Sequence, residues 1–321
     1  MKRSVLYIVV PCFNEEECIE ETAKRLGAKI SELAKKGLVS AQKSRMVFVD
    51  DGSRDKTWEK ISGLSKKRRA SVKVIGVRLA HNRGHQNALL AGILYAKERE
   101  ADAIISIDAD LQDNVEAIDE MVRKFREGYE VVYGVRKERR TDSFAKRGAA
   151  QGFYRVMRAL GAEVIYNAGD FRLMSRRAVE ALSEYGEVNL FLRGIVPEIG
   201  FRSTTVSYAR AERFAGKSKF TARKMLHFAW DGITSFSTRP IRMVLGAGVV
   251  IFIASFLIMV YAVGAYLLGK TVPGWTFIIC SIWLLGGIQM VSLGLVGEYI
   301  GKIYAESKRR PRYFIEEIVG E

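Results

Sequence analysis

Short, mostly apolar runs alternate with segments of helical spacing through the first third of the chain. The runs, which predict buried strands, occupy residues 5–10, 45–49, 72–79 and 103–107. The helical segments cover residues 15–35, a stretch that opens near residue 55, and residues 86–97. This alternation predicts an α/β fold with a mainly parallel sheet covered by helices on both faces. In such sheets, ligands bind beyond the carboxyl ends of the strands.

The last third of the chain contains two long stretches without a charged residue, at 243–268 and 271–297. Because a bilayer core needs about 20 apolar residues per helix, the pattern predicts two transmembrane helices joined by a tight turn. Buried core helices are the alternative interpretation. Basic residues flank both outer ends, whereas the turn holds only Lys270. With two spans the chain is expected to be a multi-pass protein of the plasma (inner) membrane, and the positive-inside rule predicts that its outer ends and N-terminal domain lie in the cytoplasm.

A further segment of helical spacing precedes the first of these stretches. Its apolar positions are Met225, Leu226, Ala229, Trp230, Ile233 and Phe236. This spacing predicts an amphipathic helix in the membrane interface, with a surface helix packed on the α/β domain as the alternative. The expected organisation is an α/β domain at 1–219, an interfacial segment at 220–242, a transmembrane hairpin at 243–300 and a cytoplasmic tail at 301–321.

The composition narrows the class of partner. The formal charge of +15 favours a polyanionic partner, which leaves nucleic acid, an acidic membrane surface or a phosphorylated ligand open. The three cysteines show no metal-ligand spacing, and an odd count argues for a reducing compartment without a disulfide framework. The three histidines are too scattered for a metal cluster, and His85 is expected mainly to begin a helix.

Acidic clusters follow three of the predicted strands: "PCFNEEE", "DDGSRD" and "DADLQD". They should meet at one edge of the sheet, where repulsion destabilises them unless a cation or hydrogen-bond donors are present. Asp55 and Asp113 could be helix caps. Capping leaves four carboxylates unexplained, which we call the acidic edge: Asp50, Asp51, Asp108 and Asp110.

The pair Asp108 and Asp110 suits a hard divalent cation that keeps several waters and bridges two phosphates. A nucleoside diphosphate carries the charge that such an ion would neutralise. Neither GxxxxGK[ST] nor a GxGxxG after the first strand occurs, so the common phosphate-binding loops are not the source of this chemistry.

Further motifs accompany these clusters, in the order "RGHQNALLAG", "VVYGVR", "NAGDFRLMSR", "RFAGKSKF" and "DGITSFSTRP". With the acidic motifs and the paired apolar stretches, they resemble glycosyltransferase family 2. The resemblance is to its polyprenyl-phosphate glycosyltransferases, which include the bactoprenol glucosyltransferases and dolichol-phosphate mannose synthases. It covers nearly the whole chain and implies a glycosyltransferase-A (Rossmann-like) catalytic domain at 1–219.

The resemblance implies a set of donor-site residues. Those that resemble the nucleotide-sugar site are Pro11, Glu15, Asp50, Asp51 and Asp108, together with a loop that closes over the diphosphate at Arg213, Lys217 and Lys219. Asp108 and Asp110 resemble the ligands of Mg²⁺ or Mn²⁺, and Gln112 is a third candidate ligand. Asp110 is therefore expected to be essential for catalysis.

The resemblance also implies an acceptor site. Arg136, Lys146 and Arg147 resemble residues that receive a lipid phosphate, and Arg172 is a further candidate. The alternative for this basic segment is a solvated charge run or contact with anionic lipid. Asp170 resembles the carboxylate near the nucleophile. A phosphate monoester with a second pKa near 6 is already largely dianionic, so Asp170 is expected to orient Arg172 or another arginine rather than to act as an obligatory base. A structural ion pair is the alternative.

The implied reaction is inverting transfer of a sugar from a nucleotide sugar to undecaprenyl or another polyprenyl phosphate. UDP-glucose is the first candidate donor, and UDP-N-acetylglucosamine is the next. The family also implies a homo-oligomer, such as a tetramer. The alternative enzyme is a processive polysaccharide synthase. Such enzymes resemble one another in a Gln-x-x-Arg-Trp motif and in having more membrane spans, and this sequence has neither feature. A membrane-anchored nucleic-acid binder leaves the acidic edge unexplained and lacks a supporting motif, so no nucleic-acid partner is expected.

Overall fold

The computed structural model describes residues 3–67, 72–137, 165, 167–188, 190–209, 211, 239–268 and 274–321. Its strands are β1 Leu6–Cys12, β2 Arg45–Asp50, β3 Lys73–Leu79, β4 Ala103–Ser106, β5 Val131–Arg136, β6 Ala168–Ser175, β7 Ser203–Tyr208 and β8 Ile315–Val319. Its helices are α1 Ile19–Lys35, α2 Thr57–Ser65, α3 His85–Glu98, α4 Ala117–Arg126, α5 Arg176–Ser183, α6 Leu192–Glu198, α7 Arg239–Leu267 and α8 Trp275–Ser307.

All eight strands belong to one sheet, in the order β7-β5-β6-β4-β1-β2-β3-β8. The four strands predicted from the first third of the sequence are its central parallel set, β4-β1-β2-β3. Strand β6 is antiparallel to both β4 and β5, and β8 is antiparallel to β3. The predicted fold class, a mainly parallel sheet with helices, is therefore confirmed.

The central strands are apolar throughout because both of their faces are covered. Alternate residues of β1 enter different cores: Leu6, Ile8 and Val10 pack on one side, whereas Tyr7 and Val9 pack on the other. Helices α1, α2 and α4 cover the first face, and α3, α5 and α6 cover the second. Helix α3 lies so close to β1 that a Cβ atom at position 92 would come within 2.4 Å of Val9 Cγ1, which is why a glycine is required there.

The C-terminal residues form an edge strand of the sheet, a role that the sequence analysis did not assign to them. In β8, Ile318 lies opposite Val77 and Val319 lies opposite Gly76 of β3. The side chain of the terminal Glu321 also accepts a hydrogen bond from Tyr95 Oη at 3.0 Å. The segment expected to be a cytoplasmic tail is therefore a structural part of the α/β domain.

Helices α7 and α8 contain stretches long and apolar enough to cross a membrane, at Ile241–Ile258 and Leu284–Ser307. None of the described side chains in either stretch is buried. Helix α8 continues to Ser307, ten residues beyond the predicted end of the second span at residue 297. Residues 212–238 lie outside the described residues, so most of the predicted interfacial segment remains a prediction.

A buried lysine joins α1 to α4 on the first face. The side chain of Lys29 is 2% exposed, and its ammonium donates to Glu116 at 2.5 Å and to Glu32 and Asp119 at 2.7 Å each. Burial opposes the charge, but these hydrogen bonds raise the pKa of Lys29. The three acids have a spacing that could hold a metal ion, yet the lysine ammonium already supplies the cation among them.

Replacing Lys29 with methionine should destabilise the protein by about 1–2 kcal/mol, because it removes the buried cation among three carboxylates, although solvent screens Glu116 and Lys36 still pairs with Glu32 and Asp119. Lys24→Met on the same helix is the matched control: its side chain is 79% exposed and pairs with Glu21 at 3.6 Å. The control should cost less than about 0.5 kcal/mol. Thermal unfolding of the full-length protein in detergent measures both effects. Equal unfolding midpoints for the two variants would contradict the structural role of Lys29.

Candidate functional site

The carboxyl ends of β1, β2 and β4 bring the acidic clusters together, as the strand order requires. Cys12 at the end of β1 lies beside Asp50 at the end of β2. Burial raises the pKa of the Cys12 thiol well above its usual value, and the negative charges of Asp50, Glu15 and Asp108 raise it further. Because β4, β1 and β2 are neighbours in the sheet, their carboxyl ends place the three clusters around a common centre.

The two acids after β2 are buried and are held by different partners. Asp50 is 0% exposed, accepts the N–H of Ser53 at 3.3 Å and lies 3.8 Å from Arg78 Nε. Asp51 accepts the backbone N–H groups of Arg83 at 2.6 Å and Gly84 at 2.9 Å. Burial raises the pKa of both carboxyl groups, and the hydrogen bonds oppose this shift. Asp51 thus fixes the loop that leads into α3.

The remaining nucleotide-site candidates flank this pair. Pro11 is buried within β1, opposite Val49 of β2. Glu15 follows the strand, is partly exposed, and its backbone N–H donates to Thr57 Oγ1 at 2.9 Å. Asp55 accepts the N–H of Thr57, the first residue of α2, at 3.0 Å, as expected for a residue at a helix start.

The Asp-x-Asp pair lies on a tight turn after β4. Asp110 is 9% exposed and its Oδ1 accepts the N–H of Gln112 at 3.1 Å. The intervening Leu111 has φ 57°, a left-handed conformation that is strained for a large side chain and typical of functional sites. The side chain of Asp108 is 33% exposed overall.

Asp108 is the member of this pair with an unsatisfied oxygen. Its buried Oδ1 accepts no hydrogen bond among the described residues. Desolvation raises the pKa of Asp108 to about 6; His85 opposes this shift, and the charges of Asp113, Asp170 and Asp110 add to it. An electron-rich site with an orphaned carboxylate oxygen fits a divalent cation, because the ion would both satisfy the oxygen and relieve the repulsion.

Asp170 in β6 is 5% exposed and is surrounded by cations. Arg193 forms a two-pronged pair with it, through Nη2 at 2.9 Å and Nε at 3.2 Å, and Arg172 Nη2 donates to it at 2.9 Å. Burial opposes its ionisation, but Arg193 and His85 hold the pKa of Asp170 well below its usual value. Asp170 is therefore a fixed anion at neutral pH.

His85 begins α3, as expected, and its side chain also lines the site. Its Nε2 lies 3.3 Å from Asp170 Oδ2 and 3.5 Å from Asp108 Oδ1. Burial opposes its charge, but the hydrogen bond with Asp170 and the charge of Asp108 raise the pKa of His85 to about 9. The imidazolium thus bridges the ends of β4 and β6.

Two arginines share Asp170 but differ in exposure. Arg172 is 2% exposed, and its Nη1 donates to the carbonyl oxygen of Leu192 at 2.9 Å. A guanidinium this deeply buried is placed to support the carboxylate rather than to meet an incoming phosphate. The side chain of Arg193 is 32% exposed and lies in the more accessible position. Arg193 was not among the residues predicted from the sequence, although an arginine within the apolar run "LFLRGIV" was an available signal.

Arg136 ends β5 and is held from two sides. Its Nη2 lies 3.2 Å from Asp113 Oδ1, and its Nε donates to Tyr208 Oη at 3.2 Å. Tyr208 Oη also donates to Asp113 Oδ1 at 2.5 Å. The capping role considered for Asp113 is therefore wrong: its side chain is turned inwards and anchors Arg136. A Cβ atom at Gly169 would lie 3.2 Å from Arg136 Nη2, so this arginine borders the residue that precedes Asp170.

The other predicted cations lie outside the described residues. They are Lys146, Arg147, Arg213, Lys217 and Lys219. Their assignments to the acceptor site and to a donor-closing loop remain predictions.

Several known proteins resemble this chain in sequence. The family model described as "Glycosyl transferase family 2" matches residues 7–183. A Bacillus subtilis protein named "Uncharacterized glycosyltransferase YkoT" is 53% identical over 98% of this chain and 93% of its own length. An Escherichia coli protein named "Prophage bactoprenol glucosyl transferase homolog" is 38% identical over 97% and 98%, respectively. The "Bactoprenol glucosyl transferase" of Shigella phage SfV is 39% identical over 96% and 97%.

Among solved structures, the mannosyltransferase PcManGT from Pyrobaculum calidifontis, in complex with GDP-Man and Mn²⁺, gives a TM-score of 0.50 at 16% identity. The match covers 94% of this chain and 88% of that chain. At this identity the likeness concerns the fold alone, and it confirms the expected glycosyltransferase-A architecture.

Proposed function

We propose, from the premise that the chain belongs to glycosyltransferase family 2, that it transfers glucose from UDP-glucose to a polyprenyl phosphate. Relatives at 38–39% identity over nearly the full chain carry the name bactoprenol glucosyl transferase, which supports both the sugar and the lipid carrier. The two long apolar helices support a site at a membrane surface. UDP-N-acetylglucosamine or another nucleotide sugar is the alternative donor for the same reaction. We place the reaction at the cytoplasmic face, on the positive-inside rule.

The observation that carries this proposal is that one site has an acidic half and a basic half. The acidic edge lies at the ends of β2 and β4 and suits a donor diphosphate bound through a cation. Arg136 and Arg193 approach from β5 and α6 and suit a second phosphate. Two anionic substrates can approach each other in such a site because each has its own source of positive charge.

We assign the divalent cation, Mg²⁺ or Mn²⁺, to Asp108 and Asp110, with Gln112 as a third candidate ligand. The orphaned Oδ1 of Asp108 supports this assignment. When bound, the ion would stabilise negative charge on the departing nucleoside diphosphate.

The proposed chemistry is a single displacement. An oxygen of the acceptor phosphate forms a bond to the anomeric carbon as the bond from that carbon to the diphosphate oxygen breaks, and the leaving UDP keeps the electron pair. The configuration at the anomeric carbon inverts. No proton needs to be removed from a dianionic phosphate. The low pKa of Asp170 makes it a weak base, so we assign it the role of holding Arg193 towards the acceptor.

A donor panel tests the reaction directly. Purified full-length protein in nanodiscs is given undecaprenyl phosphate and each of UDP-glucose, UDP-N-acetylglucosamine and GDP-mannose, and the lipid products are identified by mass spectrometry. We expect undecaprenyl phosphate glucose as the product from UDP-glucose. If another nucleotide sugar were preferred, the assignment of glucose as the transferred sugar would be wrong. If no nucleotide sugar reacted with undecaprenyl phosphate, the proposed function would be overturned.

Replacing Asp110 with asparagine should abolish transfer without unfolding the protein, because it removes negative charge from the proposed cation site. EDTA should have the same effect on the wild type, and added Mg²⁺ or Mn²⁺ should restore activity. Glu59→Gln, an exposed change of the same chemistry on α2, is the control and should keep full activity. Undiminished turnover in EDTA would contradict the proposed requirement for a divalent cation.

Replacing Arg136 with alanine should raise the KM for polyprenyl phosphate far more than the KM for the nucleotide sugar. A charge-assisted hydrogen bond contributes roughly 1.5–3 kcal/mol, which corresponds to about ten- to a hundredfold in affinity. Arg136→Lys should recover only part of this, since an ammonium lacks the planar fork. Steady-state kinetics with each substrate varied in turn gives the comparison.

The control for Arg136 is Arg202→Ala, because Arg202 is exposed and immediately precedes β7, at the opposite end of the β5–β7 pair. It should leave both KM values unchanged. Asp170→Asn loosens the hold on Arg193 and should likewise raise the KM for polyprenyl phosphate more than the KM for the nucleotide sugar. A loss of donor affinity alone in Arg136→Ala would contradict the division into donor and acceptor halves.

A further inference from the structure

The C-terminal end of α8 is bonded to the chain segment between α5 and α6. Glu306 Oε1 accepts the backbone N–H of Val188 at 2.7 Å. Arg312 Nη2 donates to the carbonyl oxygen of Tyr185 at 2.5 Å. These two contacts hold both ends of residues 185–188, which we call the connector. Both are charge-assisted hydrogen bonds to backbone groups, which are stronger than neutral ones.

The connector leads directly into the candidate site. Val188 lies only five residues before Arg193. Between them, Leu192 is 1% exposed and its N–H donates to Gln86 Oε1 at 3.1 Å, and its carbonyl oxygen accepts from Arg172. These bonds to α3 and β6 fix Leu192, and only three positions of the sequence lie between it and Val188, so a displaced connector strains the backbone next to Arg193. A shift of the connector should therefore move the guanidinium of Arg193 relative to Asp170.

The C-terminal end of α8 is held close to the sheet by the short segment that follows it. Only seven residues, 308–314, separate it from β8, which is paired with β3. The carbonyl oxygen of Phe314 accepts the N–H of Ala80 at 3.0 Å, and Glu321 closes the chain end against Tyr95. The same short tail thus joins the second apolar helix to the sheet and, through Glu306 and Arg312, to the connector.

We propose that Glu306 and Arg312 are positioning residues for glycosyl transfer. They hold the connector so that Arg193 meets Asp170 in the active geometry, and turnover thereby depends on how the second membrane helix is seated against the catalytic domain. The inference rests on the proposed function in assigning Arg193 to the acceptor half of the site. The competing explanation is that these contacts only stabilise the fold.

Kinetics of the full-length protein in nanodiscs provides the first test. Glu306→Ala should lower kcat/KM for polyprenyl phosphate about tenfold, the worth of one charge-assisted hydrogen bond, with the KM for the nucleotide sugar unchanged. Glu306→Gln keeps an acceptor oxygen for the Val188 N–H and should retain most of the activity. The matched control is Glu298→Ala, two turns earlier on α8, where the side chain accepts no hydrogen bond among the described residues.

The second contact is tested in the same assay. Arg312→Ala should cause a loss similar to that in Glu306→Ala, and Arg312→Lys should restore part of it, since a lysine can still donate to a carbonyl oxygen. Arg310→Ala removes the same charge from an exposed position two residues away and should have no effect. Equal losses in Arg310→Ala and Arg312→Ala would attribute the effect to net charge near the membrane and overturn the proposal.

Two further readouts separate positioning from simple stability. Amide hydrogen exchange in Glu306→Ala should increase within residues 185–193 and stay unchanged in α1, a measurement that needs no substrate. In the Glu306→Ala/Arg193→Ala double variant, turnover should be no lower than in Arg193→Ala alone, because both changes act through one side chain. Additive losses, or exchange that rises uniformly across the domain, would overturn the proposal. Absence of wild-type transfer to polyprenyl phosphate would instead refute the proposed function, and the exchange data would still test the connector.

Discussion

Repulsion among carboxylates at one edge of the sheet is the constraint that the rest of the site satisfies. Two like charges 4 Å apart repel by about 4 kcal/mol at an effective dielectric constant of 20, so each acid needs its own compensation. Asp51 obtains it from two backbone N–H groups, Asp113 from Tyr208 and Arg136, and Asp170 from three cationic side chains. One buried oxygen each of Asp50, Asp108 and Asp113 still accepts no hydrogen bond among the described residues, and of these three acids only Asp108 belongs to the Asp-x-Asp pair and has the His85 imidazolium nearby, at 3.5 Å.

This unequal compensation separates the roles of two neighbouring acids. Asp170 has its pKa held well below the usual value, whereas the pKa of Asp108 is raised to about 6. A fixed anion of the first kind orients arginines, while an unsatisfied carboxylate of the second kind attracts a cation. His85 contacts both acids, so it couples the proposed donor half to the proposed acceptor half without belonging to either alone. Environment, and not residue type, therefore distinguishes the two aspartates.

The sequence predicted the central parallel strands better than it predicted the edge strand β8 or the pairing of Arg193 with Asp170. The four parallel strands were recognisable because both faces are buried, and their polar ends located the acidic edge. Strand β8 escaped prediction because its partner β3 lies more than 200 residues earlier, and no local pattern specifies so distant a pairing. The pairing of Arg193 with Asp170 was hidden for a similar reason: it depends on how α6 packs on β6, which only the tertiary structure defines.

The position of β8 also constrains how the chain can meet a membrane. Strands β1–β7 precede the two apolar helices and β8 follows them, yet all eight belong to one sheet. A chain that contributes strands to a single sheet before and after its membrane segments must cross the bilayer an even number of times. Two crossings satisfy this condition, and one crossing would place β8 on the wrong side of the bilayer from β3. The strand pairing therefore excludes a single crossing on grounds that are independent of the charge distribution, and it is compatible with the predicted hairpin.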